Sequence, residues 1–237
     1  MRILAIETSS SAASCAILNE SKLEAEIYIN HKLQHSVILF PMLEKILNMV
    51  DLTIDDIDAV AVSRGPGSFT GLRIGISAAK GIAQGGNKKF VAISGLDAIA
   101  FQQVGFEGII CPMMDALRDN VYTALYQWKN GMLKIVYEYN ALHIDELIQV
   151  LVEKGEKVIF CGDAVEIHRA KLSQVSELAV QFAANSLTMP KASSIAELAQ
   201  ININNGIEDN IFTFSPIYLR KSQAEREYER KYGEIID

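Results

Sequence analysis

Cysteine is scarce in this sequence. Its 237 residues hold three, Cys15, Cys111 and Cys161, far apart and without a CxxC pair. That usage fits a reducing cytoplasm rather than an oxidising compartment. Long apolar runs are missing as well. No segment approaches the ~20 apolar residues of a membrane span, and the opening MRILAIETSS has no long apolar stretch after its arginine. Neither a membrane anchor nor a secretion signal is expected. Positive charge is in deficit, with 22 Lys and Arg against 29 Asp and Glu, a net charge of -7. A free-standing nucleic-acid binder needs a basic face to neutralise phosphates, so any RNA contact is expected through a partner. Apolar residues, by contrast, make up 49% of the chain, enough to bury the cores of two domains.

The order of predicted elements gives the plan of those domains. Residues 2–8, 14–19 and 22–29 read as three strands, the third by its apolar-polar alternation. A helix follows over 36–50, a strand over 58–63, a helix over 70–84 and a strand over 90–94. Residues 108–116, 120–128 and 133–140 are again three strands, followed by a helix over 145–154, a strand over 157–162 and a helix over 163–172. Two βββαβα lobes without detectable sequence identity are the signature of a duplicated α/β domain of the actin, Hsp70 and sugar-kinase (ASKHA) type. The N-terminal lobe is predicted over 1–105 and a smaller C-terminal lobe, with a charged tail, over 106–237. In proteins of that fold a nucleotide lies between the lobes, and the first hairpin of each lobe supplies an acid and hydroxyls. The candidate cleft residues are therefore Glu7, Thr8 and Ser9 in the first hairpin and Asp115 and Arg118 in the second. Thr8 to Ser11 read equally well as turn formers that bond their own backbone.

The stretch RGPGSFTGLRIG, Arg64 to Gly75, resembles a phosphate loop at first sight. A Walker loop requires GxxxxGK[ST]. Here the step from Gly67 to Gly71 is one residue short, and Leu72 and Arg73 stand where Lys and Ser or Thr belong. Farther along, Gly71, Gly75, Ala79 and Ala83 recur every four residues and form a ridge almost without side chains on one helix face. Two interior helix glycines cost ~1 kcal/mol each relative to Ala, so something is expected to pack very close to this backbone. Either a partner or the chain's own sheet could be that neighbour. Ser68 or Thr70 is the predicted N-cap.

The earlier helix is unusual too. Leu39, Leu43, Ile46 and Val50 share a face, yet Ile38, Phe40, Met42, Leu47 and Met49 spread apolar character around the rest. A surface helix needs only a stripe, so this one is expected to be covered twice, by its own sheet and by another subunit. Pro41 would kink it or delay its start. The predicted partner-facing set is His35, Leu39, Leu43, Ile46, Gly71, Leu72, Gly75, Ala79 and Ala83. HKLQH, with His31 and His35 at i and i+4, lacks the HExxH glutamate and a third ligand, so no metal is expected there. His143 and His168 fall in predicted surface elements. SRGPGS is not the GxSxG elbow and no triad follows, so no catalytic residue is assigned.

LAIETSS, HSVILFPML, SRGPGSFTGLRIGISAAKGIA, MDALRDNVYTALY and SPIYLRKSQAERE resemble the successive motifs of the bacterial TsaB (YeaZ) family. The resemblance implies a duplicated actin-like fold. It implies a cytoplasmic, non-catalytic part in making threonylcarbamoyladenosine next to the tRNA anticodon, as the partner of a TsaD-like transferase and a TsaE-like ATPase. It further implies a homodimer in isolation, tRNA met through the complex, and no cofactor held by this chain alone, with ATP used by the assembly and a nucleotide at a subunit interface as an option. TsaD-like proteins carry an HxxxH metal pair after the strand that follows the glycine-ridged helix; Gly95 and Ile99 stand there in this chain, and neither ligates metal. Glu7 replaces the family's usual Asp. Tyr218, Leu219 and Arg220, within the motif YLRKSQAE, are expected to pack back near Asp115 and Arg118. The alternative from a different class is a stand-alone ASKHA-type kinase or ATPase.

Overall fold

The computed structural model describes residues 1–31, 34–220, 228 and 231. Most of the predicted charged tail lies outside them. The first half runs β1 (Arg2–Glu7), β2 (Ala13–Asn19), β3 (Lys22–Ile29), α1 (His35–Met49), β4 (Ala59–Ser63), α2 (Phe69–Gly85), β5 (Lys89–Ile93) and α3 (Gly95–Phe101). The second runs β6 (Ile109–Asp115), β7 (Asn120–Lys129), β8 (Met132–His143), α4 (Ile144–Lys154), β9 (Val158–Cys161), α5 (Ala164–Leu172), β10 (Val180–Phe182) and α6 (Ala192–Asn204). The sheets are ordered β3-β2-β1-β4-β5 and β8-β7-β6-β9-β10. In each, the meander is antiparallel, and the two strands reached by helical crossovers are parallel to the first. The duplicated actin-like α/β plan is therefore present strand for strand. Each half is longer than βββαβα by a strand and a helix, and in the second half those two, β10 and α6, escape the sequence reading.

Central strands in such sheets are covered on both faces, which is why they read as unbroken apolar runs. On β1, Leu4 and Ile6 face α1 and α2 in one cluster with Leu39, Ile46, Val60, Leu72 and Phe90. The alternate residues Ile3 and Ala5 face the other way and join Ala16, Ala59, Ala61 and Val91 against Ile195, Ala196 and Ala199 of α6. Alanines on both sides of that seam let helix and sheet approach closely. The reciprocal arrangement holds in the other lobe, where Leu96, Ile99 and Ala100 of α3 pack on Ile110, Met114, Ala124 and Tyr126. Each half thus lends its last helix to the other half's sheet. The predicted boundary at 105 separates the two sheets but not their helical layers, because α6 belongs to the first lobe's core.

Two further expectations change. α1 starts at His35 and runs unbroken through Pro41, which does not delay its start. His168, predicted on the surface, is buried in α5. Ser68 is the N-cap of α2 and accepts from the Gly71 amide at 3.2 Å, as its spacing from the helix start suggests.

A polar contact fastens the lobes within their shared core. Asp97 on α3 accepts hydrogen bonds on Oδ1 from Tyr126 of β7 at 2.6 Å and Tyr139 of β8 at 2.7 Å. Burial pushes its carboxyl above the usual range, opposed by the two phenols.

Candidate functional site

The β1–β2 and β6–β7 hairpins, the entry to α2 and a C-terminal segment surround a cleft of about 380 Å³ between the lobes. Ser9, Ser10 and Ser11 form one wall with Ser68 and Phe69; Asp115, Asp163 and Tyr122 form the other; and residues 217–220 complete it. Two predicted cleft residues, Ser9 and Asp115, line this space. Asp115 positions its neighbours through its backbone and side chain: its N–H donates to Asp163 Oδ1 at 2.9 Å, and its Oδ1 accepts from the Leu117 amide at 2.8 Å. Asp163 has a carboxyl raised above its ordinary range, chiefly by burial and further by the neighbouring Asp115 charge.

The other three predicted cleft residues lie elsewhere. Glu7 and Thr8 are buried beneath the hairpin rather than facing the cavity. Thr8 Oγ1 donates to Gly71 O at 2.8 Å, tying the strand end to α2. Arg118 is exposed at the tip of its turn, held left-handed at φ +56°. The guanidinium at the cleft belongs instead to Arg220, whose Nη1 donates to Ala116 O at 2.6 Å; of the three residues expected to return onto this hairpin Arg220 does so, whereas Tyr218 stacks on Phe69 across the cleft. Asp163 carries no site signal in the sequence, where a single glycine before an acid, GDA, marks no more than a strand-to-helix turn.

Glu7 is a buried acid without a cation. Its Oε1 accepts the Ser9 amide, while Oε2 lacks a well-formed hydrogen bond. Burial raises its pKa above the ordinary 4.5, and the Ser9 and Ser63 groups offset this only in part. Below pH 4.5 both folded and unfolded chains hold the proton and stability is unaffected. As pH rises, the unfolded chain releases the proton first, so stability falls until the folded pKa is passed. Glu7→Gln keeps an acceptor for Ser9 and carries no charge. Urea unfolding from pH 4 to 8 is expected to show a shallower decline in this variant than in the parent; parallel curves would place the charge change elsewhere.

The predicted interface residues turn inward. Leu39, Leu43, Ile46, Leu72, Ala79 and Ala83 are buried within this one chain, as are Gly71 and Gly75. A Cβ on Gly71 would lie 2.1 Å from Thr8 O, and one on Gly75 2.2 Å from Thr8 Oγ1. The ridge is the seat of the β1 strand end, so of the two neighbours left open, the chain's own sheet is the one that fills it. His35 is half-buried and its Nε2 pairs with Ser10 O at 2.9 Å, linking α1 to the cleft hairpin. The outer face of the same helix pair is what solvent meets. On α1 it carries Val37 and Phe40, one turn apart and 64% and 62% exposed, with the exposed Pro41 beside them, while Met49, 66% exposed, lies near the helix end on the side opposite Phe40. On α2 it carries Thr70, Arg73, Ser77, Gly81 and Gln84. Among the described residues, no group of three or more His, Cys, Asp or Glu is placed to hold a metal ion, and no helix is long and apolar enough to cross a membrane.

Comparison with known proteins matches these features over nearly the whole chain. The family model described as TsaD, tRNA N6-adenosine threonylcarbamoyltransferase, matches residues 24–228. The tRNA threonylcarbamoyladenosine biosynthesis protein TsaB of Bacillus subtilis is 32% identical over 228 residues, 96% of this chain and 98% of that protein. Its Escherichia coli counterpart is 37% identical over 130 residues, 54% of this chain and 55% of that protein. The solved structure of YeaZ from Pseudomonas aeruginosa superposes with a TM-score of 0.74 at 24% identity, covering 92% of this chain and 99% of that one, which establishes the same fold. With the B. subtilis protein aligned over 96% of this chain at 32% identity, the chain belongs to the TsaB family.

Proposed function

We propose that this chain acts in the biosynthesis of threonylcarbamoyladenosine in tRNA as a non-catalytic subunit that docks and supports a TsaD-like transferase. The observation that carries this reading is the uncovered apolar pair Val37 and Phe40 on the outer face of α1 in a member of this family. A helix that buries Leu39, Leu43 and Ile46 inward and still presents Val37 and Phe40 outward has a second face to cover. Specific interfaces bury roughly 1,200–2,000 Å² in total, and the outer faces of α1 and α2 together offer a patch suited to a similar helix pair. A second copy of this chain and a related duplicated-fold transferase both carry such a pair, so homodimer and heterodimer compete for one surface. A TsaE-like ATPase joins the assembly, which consumes ATP and meets the tRNA; this chain holds no cofactor alone.

Phe40→Glu places a charge in the apolar seam while leaving the lobe core intact. Binding of the purified variant to a TsaD-like transferase, followed by calorimetry, is expected to weaken about tenfold, the equivalent of ~1.4 kcal/mol, with far-UV dichroism unchanged. Undiminished affinity would move the interface away from α1. ATP hydrolysis by the isolated parent at the rate of an ordinary ATPase would favour the stand-alone enzyme instead.

A further inference from the structure

We propose that Arg220 is a latch: from a C-terminal strap it holds a strained hairpin closed over the interlobe cleft, and its release lets that hairpin swing away and widen the cleft. The strap is anchored first on the N-terminal lobe. Ile217 N–H donates to Arg64 O at 2.8 Å, the Tyr218 ring lies 4.9 Å from that of Phe69, and a Cβ on Gly65 would stand 3.0 Å from Ile217 O. Two residues later the chain reaches the other lobe, where Arg220 Nη1 donates to Ala116 O at 2.6 Å and approaches Leu117 O at 3.5 Å. Four residues therefore bond both walls of the cleft.

The hairpin they hold is under conformational tension. Leu117, Arg118 and Asp119 stand in succession at φ +65°, +56° and +55°, a region that costs a residue with a Cβ roughly 1–2 kcal/mol. Isolated left-handed residues are common in turns, but three consecutive non-glycine ones need external support. Within the hairpin, Asp115 Oδ1 takes the Leu117 amide and Asn120 Nδ2 donates to Leu117 O and Arg118 O. From outside, the Ile144 amide donates to Asp119 O at 2.8 Å, and the charged donor is Arg220 at Ala116 O; hydrogen bonds from a charged donor are stronger than neutral ones. Since Asp115, Ala116 and Leu117 all line the cleft, relaxation of this turn changes the shape of the cavity directly. Asp97 and α3, which join the lobes, do not line the cleft, although Met114 of the strand they pack on does, and that joint stays fastened.

The test uses the full chain with spin labels at two exposed positions, Glu44→Cys on α1 and Arg118→Cys at the hairpin tip, with the buried native cysteines left in place. Arg220→Ala is expected to lengthen and broaden the measured distance distribution. Amide hydrogen exchange in the otherwise unmodified Arg220→Ala chain is expected to accelerate about tenfold at Ala116, Leu117 and Asn120, with the core strands unchanged. Adding Leu117→Asn, a residue that tolerates the left-handed region, is expected to restore part of the protection without restoring the guanidinium. The proposal is overturned by unchanged distances in Arg220→Ala. It is equally overturned by exchange that rises uniformly along the chain, which would mean global destabilisation, or by no recovery on adding Leu117→Asn.

Discussion

Replacing Gly71 by alanine is expected to destabilise the protein by ~2 kcal/mol, while the same replacement at Gly81, ten residues farther along α2, stabilises it by ~1 kcal/mol. The helix gains about 1 kcal/mol in either case from the better propensity of alanine. At Gly81 nothing lies within 4 Å of the new methyl group, so that gain is the whole effect. At Gly71 the methyl would meet Thr8 O at 2.1 Å, a backbone atom that cannot rotate away. Helix and strand must separate, with an overpacking cost of roughly 1–3 kcal/mol. The separation also breaks the Thr8 Oγ1 to Gly71 O hydrogen bond, worth about 1 kcal/mol. For a chain of this size 1 kcal/mol moves the melting temperature by about 2–4 °C, so calorimetry should separate the two variants by roughly 6–12 °C in opposite directions around the parent. A stabilised Gly71→Ala variant would mean that the ridge is open and could meet a partner after all.

The second large effect is expected at the seam between the lobes. Asp97→Ala removes the shared acceptor of Tyr126 and Tyr139. Tyr126 is almost fully buried, so its hydroxyl loses its carboxylate acceptor and keeps only the neighbouring Tyr139 hydroxyl in the apolar cluster around α3. An orphaned buried donor costs about 1–3 kcal/mol, and with two phenols affected the loss is expected near 3 kcal/mol. Asp97→Asn retains a carbonyl acceptor and should lose about 1 kcal/mol. Because these bonds join α3 to the opposite sheet, the alanine variant should also broaden the urea transition as the lobes unfold less cooperatively. Double substitution with Tyr126→Phe gives the control: if Asp97 acts through these phenols, the second change costs much less in the Asp97→Ala background than in the parent. Additive losses would show that Asp97 acts through another contact.

Periodicity alone located most of the strands and helices, since a strand's alternation and a helix's repeat are written in adjacent residues. The repeated order of elements likewise exposed the duplication, because a lobe built twice must list its parts twice. β10 and α6 were harder: one is three residues long, and the other begins at Ala192 with no side-chain cap to announce it. The cleft was half legible. Ser9 and Asp115 stand in hairpins whose place the element order predicts, whereas Arg220 and Asp163 arrive from segments about 105 and 48 residues away from Asp115 along the chain, and no local pattern records such meetings.

The glycine ridge marks the limit most sharply. A four-residue spacing says that Gly71, Gly75, Ala79 and Ala83 share a face, but a helix has no intrinsic inside or outside. Which neighbour the bare face meets depends on where the sheet lies, and that follows from β1 pairing with β4 across more than fifty residues. Folding turned Gly71 and Gly75 toward Thr8 and the large apolar Val37 and Phe40 toward solvent. Composition, element order and the capping of α2 were thus written locally, in the conformational preferences of neighbouring residues. The direction of each face, the burial of Glu7 and the meeting of the strap with the second hairpin arise from long-range closure, in which packing decides between surfaces that the chain makes equally apolar.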